Sequence, residues 1–313
     1  MSKAMISLII PAYNEFECIE SSIQRVHKVM EQTNNPFEIL MIDDGSQDKT
    51  WEKIVSLSNM LKEVKGLRLS RNFGKEQAIC AGLDQAIGDA VILLDADMQH
   101  PPELLPDMIH RWEEGSADII EAVKVSRGDE SLSSKLFAHI FYTLMGKLSG
   151  FDFSGASDYK LLDRKVVLAW KEMGERNVFF RAMSAWVGFE REHITFEVAD
   201  REHGESKWST WALLGLAIKG ITAFSTAPLR MISISGLFFL VFAGLVASNT
   251  MYQYFMGEAV TGFSTVILLL LIISSLMMLA LGIIGEYIAK IYEEVKGRPR
   301  YIVSKTTSNK ADS

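Results

Sequence analysis

Cysteine is scarce in this 313-residue chain: Cys18 and Cys80 are the only two, and neither sits in a C-x-x-C or Cys/His ligand spacing. That excludes a disulfide framework and a structural zinc site, and it fits a reduced compartment. No G-x-G-x-x-G follows a strand, which removes the phosphate turn of a nicotinamide-dependent dehydrogenase. Net positive charge is missing too: 32 Lys and Arg against 39 Asp and Glu leave −7, which argues against general nucleic-acid binding. Met1 to Ile10 lacks a small-residue cleavage site and runs into Pro11, so it reads as a strand rather than a signal peptide. No internal repeat is present, and the polar stretch Ser304 to Ser313 is expected to be disordered.

The longest absence is of charge. Met231 to Gly257 and Ala259 to Gly285 hold no charged residue, and Glu258 alone separates them. Each run exceeds the roughly 20 residues that cross a bilayer, so two membrane helices joined by a short connection are expected. Arg230 precedes them and Lys290, Lys296, Arg298 and Arg300 follow, whereas the connection has no basic residue. Both termini are therefore expected in the cytoplasm. Just upstream, Trp208, Trp211, Leu214, Ala217, Ile218, Ile221 and Phe224 recur near helical spacing beside Lys207. This pattern suits a helix lying in the membrane interface, with an amphipathic helix packed on the preceding domain as the alternative.

Ahead of these segments the pattern is α/β. Apolar runs at Ile6–Ile10, Phe37–Ile42, Gly66–Leu69, Ala90–Leu94 and Asp118–Val123 alternate with helical periodicity at Glu17–Met30, Thr50–Val64, Glu76–Ile87 and Leu104–Trp112. Such alternation predicts βαβ units around a mostly parallel sheet. At the end of the Ala90 run stand Asp95 and Asp97; side chains alternate along an extended segment, so both carboxylates leave the sheet on one side. Ligand crevices of open α/β sheets lie at such strand ends, and two hard carboxylates there suit Mg2+ or Mn2+ holding a diphosphate. The first two strands end in Pro11-Ala12-Tyr13-Asn14-Glu15 and Asp43-Asp44-Gly45-Ser46, on the same expected rim. Tyr13 offers a flat face to a base, and Asp44 an acceptor for a base N–H. A simple turn and helix cap is the alternative for Asp43 to Ser46.

Together with Gln99, Pro101-Pro102-Glu103, Arg201 and Gly204-Glu205-Ser206-Lys207, these motifs resemble the inverting glycosyltransferases of family two. Within that family the chain resembles the polyprenyl-phosphate glycosyltransferases, which include dolichol-phosphate mannose synthase and bacterial undecaprenyl-phosphate glucosyl- and N-acetylglucosaminyltransferases. The resemblance runs from about Ile6 to about Arg300. It implies a GT-A fold, a nucleoside-diphosphate sugar donor whose base is left open, uridine first by resemblance to bacterial members and guanosine next, a polyprenyl-phosphate acceptor and a homo-oligomer. Donor-binding residues implied by it are Pro11, Tyr13, Glu15, Asp44, Asp95 and Ala96, with Asp95, Asp97 and Gln99 at the metal. Lys124, Arg127 and Lys135 fall where relatives carry basic residues for phosphate, Lys124 standing where bacterial relatives often have arginine. Arg201 and Lys207 match a basic pair beside the membrane, suited to a lipid phosphate or the diphosphate. Asp158 matches a candidate catalytic aspartate, alongside Asp97. A general base and an orienting group are both open to it, and an anionic phosphate nucleophile with little proton to lose favours orientation. An ion pair with Arg164 or Arg181 is the structural alternative.

The expected organisation is a cytoplasmic catalytic domain over 1–207, a juxtamembrane helix over 208–228, a transmembrane hairpin over 229–290 and a basic tail over 291–313. The expected reaction moves a sugar, with inversion, from a nucleotide sugar to polyprenyl phosphate at the inner face of a bacterial plasma membrane. Two rivals fit less well. A processive polysaccharide synthase calls for a Gln-x-x-Arg-Trp signature, but Met108 stands where glutamine belongs before Arg111-Trp112. A non-catalytic carrier or flippase partner explains the hairpin and leaves Asp95 and Asp97 without a purpose.

Overall fold

The computed structural model describes residues 3–97, 100–124, 157–175, 180, 186–196, 226–257 and 262–307. The chain divides into two compact units. Among the described residues, the first holds those up to Phe196 together with 298–307, and the second holds 226–257 and 262–297.

The first unit is built on an eight-stranded sheet. Its elements run β1 (Ile6–Ala12), α1 (Ile19–Thr33), β2 (Phe37–Asp43), α2 (Thr50–Met60), β3 (Val64–Leu69), α3 (Lys75–Gln85), β4 (Ala90–Leu93) and α4 (Leu105–Glu113). They continue with β5 (Ile119–Lys124), β6 (Lys160–Asp163), α5 (Arg164–Glu172) and β7 (Arg191–Phe196), and β8 (Val303–Thr306) follows the second unit in sequence. The order across the sheet is β7-β5-β6-β4-β1-β2-β3-β8. Strands β1 to β4 are mutually parallel, so the ends of β1, β2 and β4 that carry the sequence motifs meet at one rim, as expected. Their apolar continuity is that of strands covered on both faces: Ile6, Leu8, Ile9, Ile39, Met41, Ile42, Val91 and Ile92 are all buried.

Helix α3 lies against β1 at close range. A Cβ on Gly82 would sit 2.4 Å from Ile9 Cγ2, so the absence of a side chain there sets the approach. The approach matters because α3 begins at Lys75, on the rim.

Strands β6, β7 and β8 were not among the runs the sequence marked. Lys160–Asp163 runs antiparallel to both β4 and β5, and a helix begins at Arg164, where the Asp163 side chain caps the Lys165 N–H. Four residues buried between two strands carry too short a pattern to show a period. The polar tail is a second correction. Ser304, Lys305 and Thr306 belong to β8, antiparallel to β3, and Thr307 exchanges hydrogen bonds with Gly66 through both its N–H and its hydroxyl. Pairing along a sheet edge uses main-chain groups, so polar side chains do not forbid it.

The second unit contains α6 (Ala227–Phe255) and α7 (Phe263–Val295). Both are long and apolar enough to cross a membrane, and neither is buried, unlike the helix pair of a soluble core. Leu237, Phe238, Leu240 and Leu245 on α6 and Leu270, Leu271 and Met278 on α7 are exposed. A helix apolar on all sides needs an apolar surrounding. The juxtamembrane helix expected over 208–228 lies outside the described residues as far as 225.

Candidate active site

The rim is assembled by cross-ties between strand ends. Past β1, the Asn14 N–H donates to Ser46 Oγ at 3.0 Å, Asn14 Oδ1 accepts the Gln47 N–H at 2.9 Å, and the Glu15 N–H donates to Thr50 Oγ1 at 3.0 Å. Asn14 adopts φ 56°, a left-handed conformation that Asn tolerates. Tyr13 thereby projects outward, 39% exposed, with Pro11 at the end of β1 behind it.

The paired aspartates past β2 have separate tasks. Asp43 Oδ1 accepts the Ser46 N–H at 2.9 Å and its Oδ2 lies 3.2 Å from Arg68 Nε, closing the turn. Asp44 accepts the Phe73 and Gly74 N–H groups, one on each oxygen, both at 2.8 Å. Burial pushes its carboxyl above the ordinary carboxylate range, against the pull of those two bonds. Gly45, at φ +69°, lets this turn meet the loop: a Cβ there would lie 2.4 Å from the Arg71 carbonyl carbon. Asp44 therefore fixes the 71–75 loop, and each of its oxygens keeps a further lone pair for a ligand.

Past β4, Asp95 is partly exposed and Asp97 exposed, while Ala96 between them belongs to the apolar core and its carbonyl accepts the Ser22 hydroxyl at 2.8 Å. His100 Nδ1 accepts the Asp95 N–H at 3.4 Å, and its ring stacks on Tyr159 with centroids 4.9 Å apart. Burial lowers the His100 pKa, favouring the neutral ring that this acceptor role requires. Tyr159 in turn donates its hydroxyl to the Pro101 carbonyl at 3.0 Å.

Asp158 joins the site through sheet register. Leu93 of β4 lies opposite Lys160 of β6, and continuing that antiparallel register by two residues sets Asp95 across from Asp158. The ammonium of Lys75 bridges them, with Nζ 2.6 and 2.8 Å from the two Asp95 oxygens and 3.1 Å from Asp158 Oδ2. Burial alone would lower the Lys75 pKa, but the two carboxylates outweigh it and hold it above the ordinary lysine value. Of the two arginines suggested as partners of Asp158, Arg164 donates to the Ala86 carbonyl, and Arg181 lies outside the described residues. Beneath Asp158, Lys160 and Glu121 form a fully buried ion pair at 2.8 Å.

Sequence reasoning missed Lys75. A signal existed: β3 is parallel to β2, so the loop after it, Arg71-Asn72-Phe73-Gly74, had to reach the same rim, with Gly74 at φ +101° immediately before the helix. Of the remaining expected site residues, Lys124 ends β5, and Gln99, Arg127, Lys135, Arg201 and Lys207 lie outside the described residues. Among the described residues no group of three or more His, Cys, Asp and Glu is gathered to hold a metal. Asp95, partly exposed, and Asp97, exposed, each carry a carboxylate, the hard-oxygen type of ligand that Mg2+ and Mn2+ prefer.

A model of glycosyl transferase family 2 matches residues 7–167, from β1 into α5. The chain belongs to that family. As a family-2 glycosyltransferase it carries the GT-A fold, with the mostly parallel α/β sheet described above. It is 38% identical over 310 residues to an uncharacterised glycosyltransferase, YkcC, of Bacillus subtilis, covering 96% of this chain and 93% of that one. It is 37% identical over 307 residues to the SfII prophage-derived bactoprenol glucosyl transferase of Shigella flexneri, covering 96% and 98%. Among solved structures it is similar to mannosyl-3-phosphoglycerate synthase from Rubrobacter xylanophilus, at 16% identity and a TM-score of 0.49, covering 74% of this chain and 75% of that one.

Proposed function

We propose that this glycosyltransferase moves a sugar from a uridine-diphosphate sugar to polyprenyl phosphate, undecaprenyl phosphate in a bacterium, with inversion, at the cytoplasmic face of the plasma membrane. The observation that carries the reading is that the match to a bactoprenol glucosyl transferase extends over 96% of this chain, through the acidic rim and both apolar helices alike. A phosphate oxygen of the acceptor attacks the anomeric carbon, the bond from that carbon to the diphosphate breaks, and the electron pair leaves with the diphosphate. No proton has to be removed from an ionised phosphate, so Asp158 serves to orient.

On this reading Tyr13 stacks on the base, with Pro11, Glu15 and Asp44 around the nucleotide. Asp95 and Asp97, with Gln99, hold Mg2+ or Mn2+, which when bound neutralises charge on the leaving group. Lys124, Arg127, Lys135, Arg201 and Lys207 supply positive charge for the phosphates. The first unit contains residues from both sides of the hairpin in sequence, and two crossings return a chain to its starting side. With basic residues flanking the spans and none between them, that side is the cytoplasm. A homo-oligomer is part of the same proposal. The test is to incubate membranes containing the protein with undecaprenyl phosphate and a panel of labelled nucleotide sugars. A lipid product heavier by one sugar is expected from one of them, and its absence with all of them defeats the reading.

A further inference from the structure

We propose that Lys75 is the resident counter-cation of the donor site. It competes with the divalent metal for Asp95 and, once displaced from that carboxylate, stays on Asp158 beside the diphosphate. The inference rests on the assignment of Asp95 to the metal made above. Lys75 has three N–H donors, and three carboxylate oxygens lie within 3.1 Å of its nitrogen, two from Asp95 and one from Asp158. Both Asp95 oxygens are thus committed to an ammonium at the place where a metal ligand must present at least one of them.

The reaction gathers like charge here. Two phosphates of the donor, one of the acceptor and the carboxylates of Asp95, Asp97 and Asp158 have to share one rim, and a single divalent ion leaves that set strongly negative. A second cation lowers the cost of assembly. Lysine suits an exchange of partners, since its charge is compact and rides on a flexible four-carbon stem. The backbone beneath it is held: Asp44 binds the Phe73 and Gly74 N–H groups, and α3 is pressed onto β1 at Gly82. The side chain can therefore change partner while its Cα stays in place. An ion pair serving only to tie α3 to β6 predicts something different, namely that its loss loosens Asp95 and weakens metal binding.

The experiment titrates Mn2+ into the full-length protein in detergent, without nucleotide or lipid, following free Mn2+ by electron paramagnetic resonance. Lys75→Gln is expected to bind Mn2+ on the order of ten-fold more tightly than wild type, because a competing cation is gone. Lys75→Arg, which keeps the charge, should remain near wild type. In the transfer assay at saturating Mn2+, Lys75→Gln should turn over at least about ten-fold more slowly, so that affinity and rate move in opposite directions. Lys75→Met replaces the Gln variant if that protein does not fold. Unchanged or weaker Mn2+ binding in the neutral variant overturns the proposal. If the wild type transfers no sugar while the Mn2+ order holds, the reaction assigned above falls and the competition at Asp95 stands.

Discussion

Two neighbouring carboxylates at the end of β2 show how much a residue's work depends on its partners. Asp43 closes its own turn through the Ser46 N–H, whereas Asp44 reaches across to the next loop. Replacing Asp44 by Asn offers one acceptor oxygen where two N–H groups wait, a loss of about 1–3 kcal/mol. A pH signature accompanies it. Burial raises the Asp44 carboxyl, so the folded protein keeps a proton at pH values where the unfolded chain has released it. Stability relative to Asp44→Asn therefore declines as pH rises from the ordinary carboxylate value through the raised one, and levels off above it. Urea midpoints of both proteins from pH 4 to 7 measure this, and a gap that grows with pH contradicts it. If Asp95 and Asp97 hold the metal as proposed, Asp95→Asn and Asp97→Asn should each remove roughly several kcal/mol of transition-state stabilisation, about a thousand-fold in kcat/KM. Either variant turning over like wild type would exclude that residue.

Among the elements, α3 links core packing to chemistry. Gly82, two turns beyond its first residue Lys75, packs against Ile9, so a change at Gly82 is expected to be felt at Lys75. Gly82→Ala drives a methyl group into Ile9 and should cost about 1–3 kcal/mol through overpacking. The same shift lifts Lys75 away from Asp95. Thermal unfolding should register the first effect and a fall in kcat the second; a variant of wild-type stability would mean that Ile9 yields by a rotamer change. Strand β8 is the other element with a wider role, because it covers the β3 edge with residues that lie beyond both apolar helices in sequence.

For the whole molecule, that return of the chain bears on topology. If α6 and α7 cross the bilayer, the segment around Glu258 faces the side opposite the catalytic unit. A cysteine replacing Glu258 should then react with an impermeant maleimide added outside intact cells. The native thiols give little background: burial pushes Cys18 and Cys80 each up to about 12, leaving both protonated at neutral pH, and the thiolate is the reactive form. Labelling at position 258 only after the cells are opened would reverse the orientation.

The sequence by itself determined the alternation of strands and helices, the shared rim of β1, β2 and β4, and the two long apolar helices. These follow from local periodicity and from the rule that parallel strands end on one side, and both can be followed along a chain. Tertiary structure alone decided which groups meet. Asp95 and Asp158 are far apart in sequence and face each other because β6 runs antiparallel to β4, a register with no signature in a four-residue strand. Lys75 lies between them as the first residue of α3, a helix that packs closely on β1 at Gly82. Strand β8 escaped notice for a related reason, since edge pairing is made by main-chain groups that every residue carries. Periodicity records which face of an element is buried, whereas the partner across that face is set by packing between segments that no local pattern connects.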